Sequence, residues 1–128
     1  MPAKKVLYTV EYSLRSSPAI LYNFLTTPSG LSQWFAEHVD INGDEINFTW
    51  DGSVDTAYIV EKDEDSFVRY RWDYQDEDQY FEFRITKSEI TDDTILTVTD
   101  FCDDYEVEDQ RQLWDRQITI LKRQIGAG

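Results

Sequence analysis

The residues that could perform chemistry are few, because the chain of 128 residues contains one histidine, His38, and one cysteine, Cys102. A nucleophilic cysteine needs a low thiol pKa, and the carboxylates of Asp100 and Asp103 beside Cys102 would raise that pKa instead. His38 lies in a predicted strand, where adjacent side chains point to opposite faces, so Glu37 is not expected to converge with it on a substrate. The sequence therefore predicts no catalytic residue.

Metal and cofactor chemistry also lacks a signature. The chain has 26 Asp and Glu residues, so the closeness of two acids in sequence carries little information. The acidic segment 73–78 lacks the glycine and the terminal glutamate of an EF-hand loop, and we interpret it as the solvated tip of a hairpin. No phosphate-binding glycine loop, nucleophile elbow, zinc-protease helix or dinucleotide fingerprint is present. We predict no metal and no cofactor.

Arg111 is the polar residue that the hydrophobic pattern accommodates least. Apolar side chains at helical spacing form one stripe near the C-terminus, consisting of Val107, Trp114, Ile118, Leu121 and Ile125. Arg111 falls between Val107 and Trp114, in the middle of that stripe. A buried, unpaired guanidinium costs several kcal/mol. Arg111 therefore reaches solvent, pairs with an acid such as Glu11, or awaits the carboxylate or phosphate of a ligand.

The elements that must position these residues are one long helix and a series of short strands. The helix is predicted at 104–125, with acids at its start, Lys122 and Arg123 in its last turn, and Gly126 as its cap. Alternating residues predict strands at 5–14, 36–42, 46–50, 54–62, 67–72, 80–86 and 95–101. Helical spacing predicts two short helices, at 18–26 and 29–35.

This order of elements predicts an α+β fold in a single domain, residues 1–128. About six or seven antiparallel strands would form a curved sheet that buries one face, and the C-terminal helix is the element long enough to cover it. The two short helices lie between the first and second strands. Because a curved sheet and a helix do not match everywhere, we expect a cavity between them.

Charge and hydropathy exclude several classes of partner. The net charge of −14 repels phosphate backbones and anionic lipids, so we expect neither nucleic acid nor a membrane surface as a partner. No apolar run has the length of a signal peptide or a membrane span. One cysteine cannot form an internal disulfide. We therefore predict a cytoplasmic protein.

Two segments of the chain resemble a known family. The segment SPAILYNFLTTP at 17–28, followed by LSQWF at 31–35, resembles a pattern in which a helix opens near proline, breaks at Thr-Pro and ends in an aromatic pair containing tryptophan. The segment WDRQI at 114–118, with Leu121 and Lys122, is similar to the terminal helix of the same family. This family is the START-like superfamily, also called SRPBCC or helix-grip, and the likeness is to its branch of heat-shock ATPase activators. The resemblance implies a helix-grip fold with a cavity.

The cavity and the aromatic content of 15% lead to a first hypothesis, a module that binds a small hydrophobic, lipid-like or aromatic molecule without catalysis. The predicted binding residues are Trp34, Phe35, Phe48, Trp50, Tyr58, Trp72, Phe83, Val107, Arg111 and Trp114, and the further candidates for the cavity wall are Tyr8 and Tyr12. The second hypothesis is a co-chaperone-like domain that binds a protein partner or a second copy of itself. The third is a cyclase-like or hydrolase-like enzyme, which requires an acid or base with a displaced pKa in the pocket.

Overall fold

The computed structural model describes residues 4–126. Its strands are β1 (Lys5–Leu14), β2 (His38–Asn42), β3 (Glu45–Trp50), β4 (Ser53–Asp63), β5 (Phe67–Trp72), β6 (Phe81–Lys87) and β7 (Thr94–Asp103). Its helices are α1 (Pro18–Thr26), α2 (Pro28–Leu31) and α3 (Val107–Ile125), and a 3₁₀ turn at Asp104–Glu106 precedes α3. Within the described residues, no helix is long and apolar enough to cross a membrane.

The seven strands form one antiparallel sheet in the order β1-β7-β6-β5-β4-β3-β2. Strands β2 to β7 follow one another as hairpins, and β1 pairs with β7 along its whole length, which places Tyr8 directly opposite Asp100. Helix α3 packs on one face of this curved sheet, and α1 and α2 lie between β1 and β2. The predicted α+β helix-grip fold is therefore confirmed.

The core lies between the inner face of the sheet and α3. Alternate strand residues point inward, and the fully buried side chains include Leu14, Ile46, Phe48, Val68, Tyr70, Phe83, Leu96 and Val98. From α3, Trp114, Ile118 and Leu121 are buried against them. This is the C-terminal part of the apolar stripe that the helical spacing predicts.

Several predicted element boundaries are wrong. The second short helix ends at Leu31 instead of Phe35, and the next four residues form turns, so β2 begins at His38. In this segment the Trp34 indole N–H donates to the carbonyl of Phe24 at 2.8 Å, and the Trp50 indole donates to that of Phe35 at 2.8 Å. These two hydrogen bonds attach the segment to α1 and to β3, and they fix it as turns.

Side-chain caps fix the start of each short helix. The Ser17 hydroxyl accepts a hydrogen bond from the amide of Ile20 at 3.2 Å, and Pro18 occupies the first helical position. The Thr27 hydroxyl accepts from the amide of Gly30 at 3.0 Å, so it caps α2 one residue after α1 ends. The two helices therefore follow each other with a sharp bend, and this bend brings the segment after α2 back onto the sheet.

Gly30 is a tight point of this bend. A Cβ atom at Gly30 would lie 2.5 Å from the carbonyl oxygen of Asn23 and 2.6 Å from the Cα of Phe24, and both are backbone atoms that cannot rotate away. We expect Gly30→Ala to lower the free energy of unfolding by about 2 kcal/mol, the usual size of an overpacking penalty. Urea denaturation would measure the change, with Gly43→Ala as a control for a glycine with open space around it. A cost at Gly30 no larger than at Gly43, which carries its own positive-φ strain, would contradict this account.

Candidate functional site

A cleft of about 400 Å³ opens between the sheet and the first half of α3. Aromatic residues form a large part of its wall, and these are Phe35, Trp50, Trp72, Tyr74, Phe81, Phe101 and Trp114. The volume lies in the range of small-molecule sites, which are mostly apolar and carry a few polar groups that fix orientation. The cleft therefore has a volume in that range and a wall that combines aromatic and polar residues.

Phe35 forms the inner end of the cleft and the centre of its aromatic packing. Its ring centroid lies 5.1 Å from that of Phe48, 5.6 Å from Trp50 and 6.1 Å from both Phe81 and Trp114. These contacts join the turn after α2 to β3, β6 and α3. Phe35 thus fixes the relative positions of the elements that carry the wall.

The outer end of the cleft is formed by the loop between β5 and β6, residues 73–80. Tyr74 stacks on Trp72 with a centroid separation of 6.1 Å and an interplanar angle of 7°. Arg71 donates to the carbonyl oxygens of Gln79, at 2.8 Å, and Glu77, so its side chain pins the loop from the other face of β5. The loop is therefore held to β5 by hydrogen bonds from Arg71 to its backbone.

The polar part of the lining contains Asp100, whose role the sequence reading missed. Asp100 lies on the inner face of β7, where one oxygen accepts from the Tyr8 hydroxyl at 3.1 Å and the other from the amide of Phe101 at 2.8 Å. The Trp114 indole donates to the Tyr8 oxygen at 2.9 Å. These bonds form a chain of donors from α3 through β1 that ends on the Asp100 carboxyl group.

Burial raises the pKa of Asp100 from its ordinary value of 3.8 to about 6, although the hydrogen bonds from Phe101 and Tyr8 oppose the shift. Burial and the neighbouring Asp100 charge raise the pKa of Tyr8, so its hydroxyl stays protonated and can donate. The signal in the sequence was the alternation on β7, in which Asp100 falls between Val98 and Cys102 on the apolar face.

The predicted binding residues divide into three groups. Phe35, Trp50, Trp72 and Trp114 line the cleft. Phe48 and Phe83 are completely buried in the core behind it, and Trp34 lies 5.7 Å from Phe83 by ring centroids. Val107 is half-buried and outside the lining.

The prediction that Tyr58 is a binding residue does not fit the structure. The residue lies on the outer face of β4, where 44% of it is exposed. Its neighbour Ala57 is completely buried, so Ala57 occupies the inner face of the strand and Tyr58 the opposite one. Neither of the two further candidates for the wall lines the cleft: the Tyr8 hydroxyl donates to Asp100, and the Tyr12 hydroxyl donates to Asp115 on α3 at 2.7 Å.

Arg111 lies beside the cleft and does not line it. Its guanidinium carbon lies 5.9 Å from the centroid of the Tyr8 ring, on the side of α3 that faces β1. Among residues 4–126 it forms no ion pair, with Glu11 or any other acid. The half-buried Arg111 side chain thus contacts an aromatic face, and this cation–π contact partly offsets the free energy lost when the guanidinium is desolvated.

The other reactive side chains are not arranged for catalysis or metal binding. Burial and the nearby Asp100 charge raise the pKa of Cys102, which keeps its thiol protonated. His38 is exposed at the start of the edge strand β2. In the described part of the chain, no three His, Cys, Asp or Glu side chains are grouped as a metal site.

Comparisons with known proteins agree with this architecture. The family model of the START-like superfamily domain matches residues 1–127. The solution structure of BfR322 from Bacteroides fragilis is 36% identical, with a TM-score of 0.68 over 94% of this chain and 91% of that one. No curated protein matches.

Two more distant structures share the fold alone. The Aha1 dimer from Colwellia psychrerythraea is 18% identical, with a TM-score of 0.77 over 94% of this chain and 96% of that one. DynU16, from the dynemicin biosynthetic locus, is 20% identical, with a TM-score of 0.77 over 94% of this chain and 48% of that one. With the family match over nearly its whole length, the chain belongs to the START-like superfamily.

Proposed function

We propose that this protein binds a small hydrophobic molecule in the cleft between its sheet and α3. The observation that carries the proposal is the aromatic wall itself, because seven aromatic residues line one opening of about 400 Å³. Leu113 extends the wall from α3 and is 44% exposed, which leaves apolar surface uncovered at the mouth. Burying this surface under a ligand is worth about 25 cal/mol per Å².

The polar groups of the cleft suit orientation of a ligand better than conversion of it. Four glutamine side chains lie around the opening, at positions 75, 79, 110 and 117. Glutamine donates and accepts hydrogen bonds but does not transfer protons at neutral pH. Asp100 is the one carboxyl group there with a displaced pKa, and its two protein hydrogen bonds hold it in place. Binding is therefore the function that this arrangement supports best.

A neutral fluorescent probe tests the proposal. N-phenylnaphthylamine becomes bright in apolar surroundings, so we expect saturable fluorescence enhancement with the wild-type protein. Leu113→Ser shortens an apolar side chain at the mouth and should weaken probe binding by about tenfold, given about 0.8 kcal/mol for each buried methylene group. The measurement is a fluorescence titration of each protein.

Ile120→Ser is the matched control. Ile120 lies on the same helix with a similar exposure of 39%, but it borders a shallow groove formed with residues 32–37 and not the cleft. Probe affinity should be unchanged in this variant. Loss of binding in Ile120→Ser instead of Leu113→Ser would move the site to the groove, and no enhancement in the wild type would refute the proposal.

A further inference from the structure

The charged residues that line the cleft are mostly acidic, and this affects the kind of ligand that the cleft binds. Asp100 and Glu106 supply two carboxyl groups to the lining, and Lys5 is the one basic side chain there. The Lys5 amine already pairs with Asp103 at 3.0 Å, and this contact raises its pKa. The cleft thus offers a ligand more negative charge than positive charge.

Asp100 has acceptor capacity that the protein does not use. An ionised carboxylate has about four lone-pair sites, and the Tyr8 hydroxyl and the Phe101 amide occupy two. None of the ion pairs among residues 4–126 includes Asp100. Arg111 lies over the Tyr8 ring, with its guanidinium carbon 5.9 Å from the ring centroid, and it does not line the cleft. The remaining lone pairs therefore lack a cationic partner from the described chain.

The wall around Asp100 is suited to a positive charge. The faces of Trp, Tyr and Phe rings carry negative electrostatic potential, and a cation within about 6 Å of a ring centroid is attracted to it. Trp114 hydrogen-bonds into the Asp100 network, and Trp50, Trp72 and Tyr74 belong to the same lining. A ligand with a flat apolar body and a protonated amine would satisfy the rings and the carboxylate together.

The residues around the cleft also favour a positively charged ligand. The loop that forms its outer end carries four exposed acids, at positions 73, 76, 77 and 78. The whole chain has a net charge of −14, which raises the local concentration of cations and repels anions. Long-range attraction and the local carboxylate therefore act in the same direction.

We propose that the ligand of this cleft is a hydrophobic cation, an aromatic or alicyclic amine whose ammonium group binds the free lone pairs of Asp100. This inference rests on the proposed function, because it names the class of ligand for the same cleft. Its consequence is selectivity between molecules of the same shape. The amine binds best, the neutral alcohol less well, and the carboxylate least.

Three probes of matched shape test the order: naphthylmethylamine, naphthylmethanol and naphthoate, each titrated by calorimetry at about pH 7.5. We expect the amine to bind at least about tenfold more tightly than the alcohol, because its ammonium group forms a charge-assisted hydrogen bond with Asp100. Equal binding of amine and alcohol, or tighter binding of naphthoate, would overturn the cation proposal and leave the proposed function standing. Failure of all three probes and of the neutral dye would remove both.

Variants of Asp100 and Glu106 show which of the two carboxylates binds the amine. Asp100→Asn should reduce the preference for the amine to about twofold or less while the alcohol still binds. Glu106→Gln removes the same charge from the same lining and should keep most of the preference. If Glu106→Gln abolishes the preference and Asp100→Asn does not, the assignment to Asp100 is wrong. Circular dichroism would establish that both variants are folded.

The pH dependence of the wild type provides a second measurement that needs no variant. The titratable and charged groups around Asp100 are Lys5 and Tyr8 from β1, Cys102 from β7, Glu106 from the turn before α3, Tyr74 from the loop, and Arg111 over the Tyr8 ring. Asp100 has a pKa of about 6, so the amine preference should decline as the pH falls from about 7.5 to 5. A preference that stays constant over this range would contradict the role of Asp100.

Discussion

Replacing Phe35 by alanine is expected to lower the free energy of unfolding by about 3–5 kcal/mol, the range for a buried phenylalanine. The ring is 5% exposed and lies within 6.1 Å, by centroids, of aromatic rings from three different elements, β3, β6 and α3. Its removal would leave a cavity that neighbouring rings cannot fill, because Phe48 and Phe83 are themselves buried and packed. Urea denaturation monitored by tryptophan fluorescence measures the loss.

Tyr58→Ala is the control for this prediction. It removes an aromatic side chain of similar size from the outer face of β4, where 44% of the residue is exposed, so the cost should stay below about 1 kcal/mol. A loss in Phe35→Ala no larger than in Tyr58→Ala would mean that Phe35 does not join the sheet to α3. Phe35→Leu should recover most of the stability, because it restores apolar volume.

The fold could be predicted because the spacing of apolar residues along the chain identifies each strand and helix. Alternation in β1 and β7 and the helical stripe of Trp114, Ile118 and Leu121 each identify a buried face without knowledge of the partner element. Together with the hairpin turns, they determine a sheet covered by one helix. The segment 32–37 was less predictable, because indole hydrogen bonds to distant backbone carbonyls determine its shape.

The site was predicted less completely, for reasons that differ from residue to residue. Strand β4 carries apolar side chains on both faces, with Tyr58 and Val60 on one and Ala57 and Ile59 on the other, so alternation alone could not place Tyr58. Arg111 was correctly located in the helical stripe, but its contact with the Tyr8 face depends on how α3 lies on β1.

Asp100 was hidden among 26 acids, since the sequence does not reveal which carboxyl group receives the Tyr8 hydroxyl. Its neighbours at Val98 and Cys102 mark the inner face of β7, and a charged residue in that alternation was the available signal. The sheet register then determines the partner, because Tyr8 lies directly opposite Asp100 in the β1–β7 pair. This pairing joins strands at opposite ends of the chain.

The same carboxyl group should make stability depend on pH in an unusual direction. The pKa of Asp100 rises from 3.8 to about 6 on folding because burial disfavours its charge. The folded state therefore binds more protons than the unfolded state between these values, and this residue's contribution to stability is present below pH 3.8 and is lost as the pH rises to about 6. Two pKa units correspond to about 3 kcal/mol.

Asp100→Asn isolates this contribution, because asparagine does not titrate. Between about pH 4 and pH 7, the free energy of unfolding of Asp100→Asn should increase relative to that of the wild type by about 2 kcal/mol, because part of the full effect is already present at pH 4. Asp103→Asn provides a control with little response over this interval, because the hydrogen bond from Lys5 lowers the pKa of Asp103 below 3.8 in the folded protein. Asp103 therefore titrates mainly below pH 4, and the stability of Asp103→Asn relative to the wild type should change little between pH 4 and pH 7.

Denaturant titrations at several pH values measure both differences. A parallel response of the two variants would mean that Asp100 is solvated and unperturbed, and the cleft would then lack a buried charge to attract a ligand. An increase in Asp100→Asn alone would mean that folding itself places an uncompensated carboxylate beneath the aromatic wall. A bound cation should then stabilise the wild type more at pH 7 than at pH 4, because it supplies the partner that Lys5 gives to Asp103.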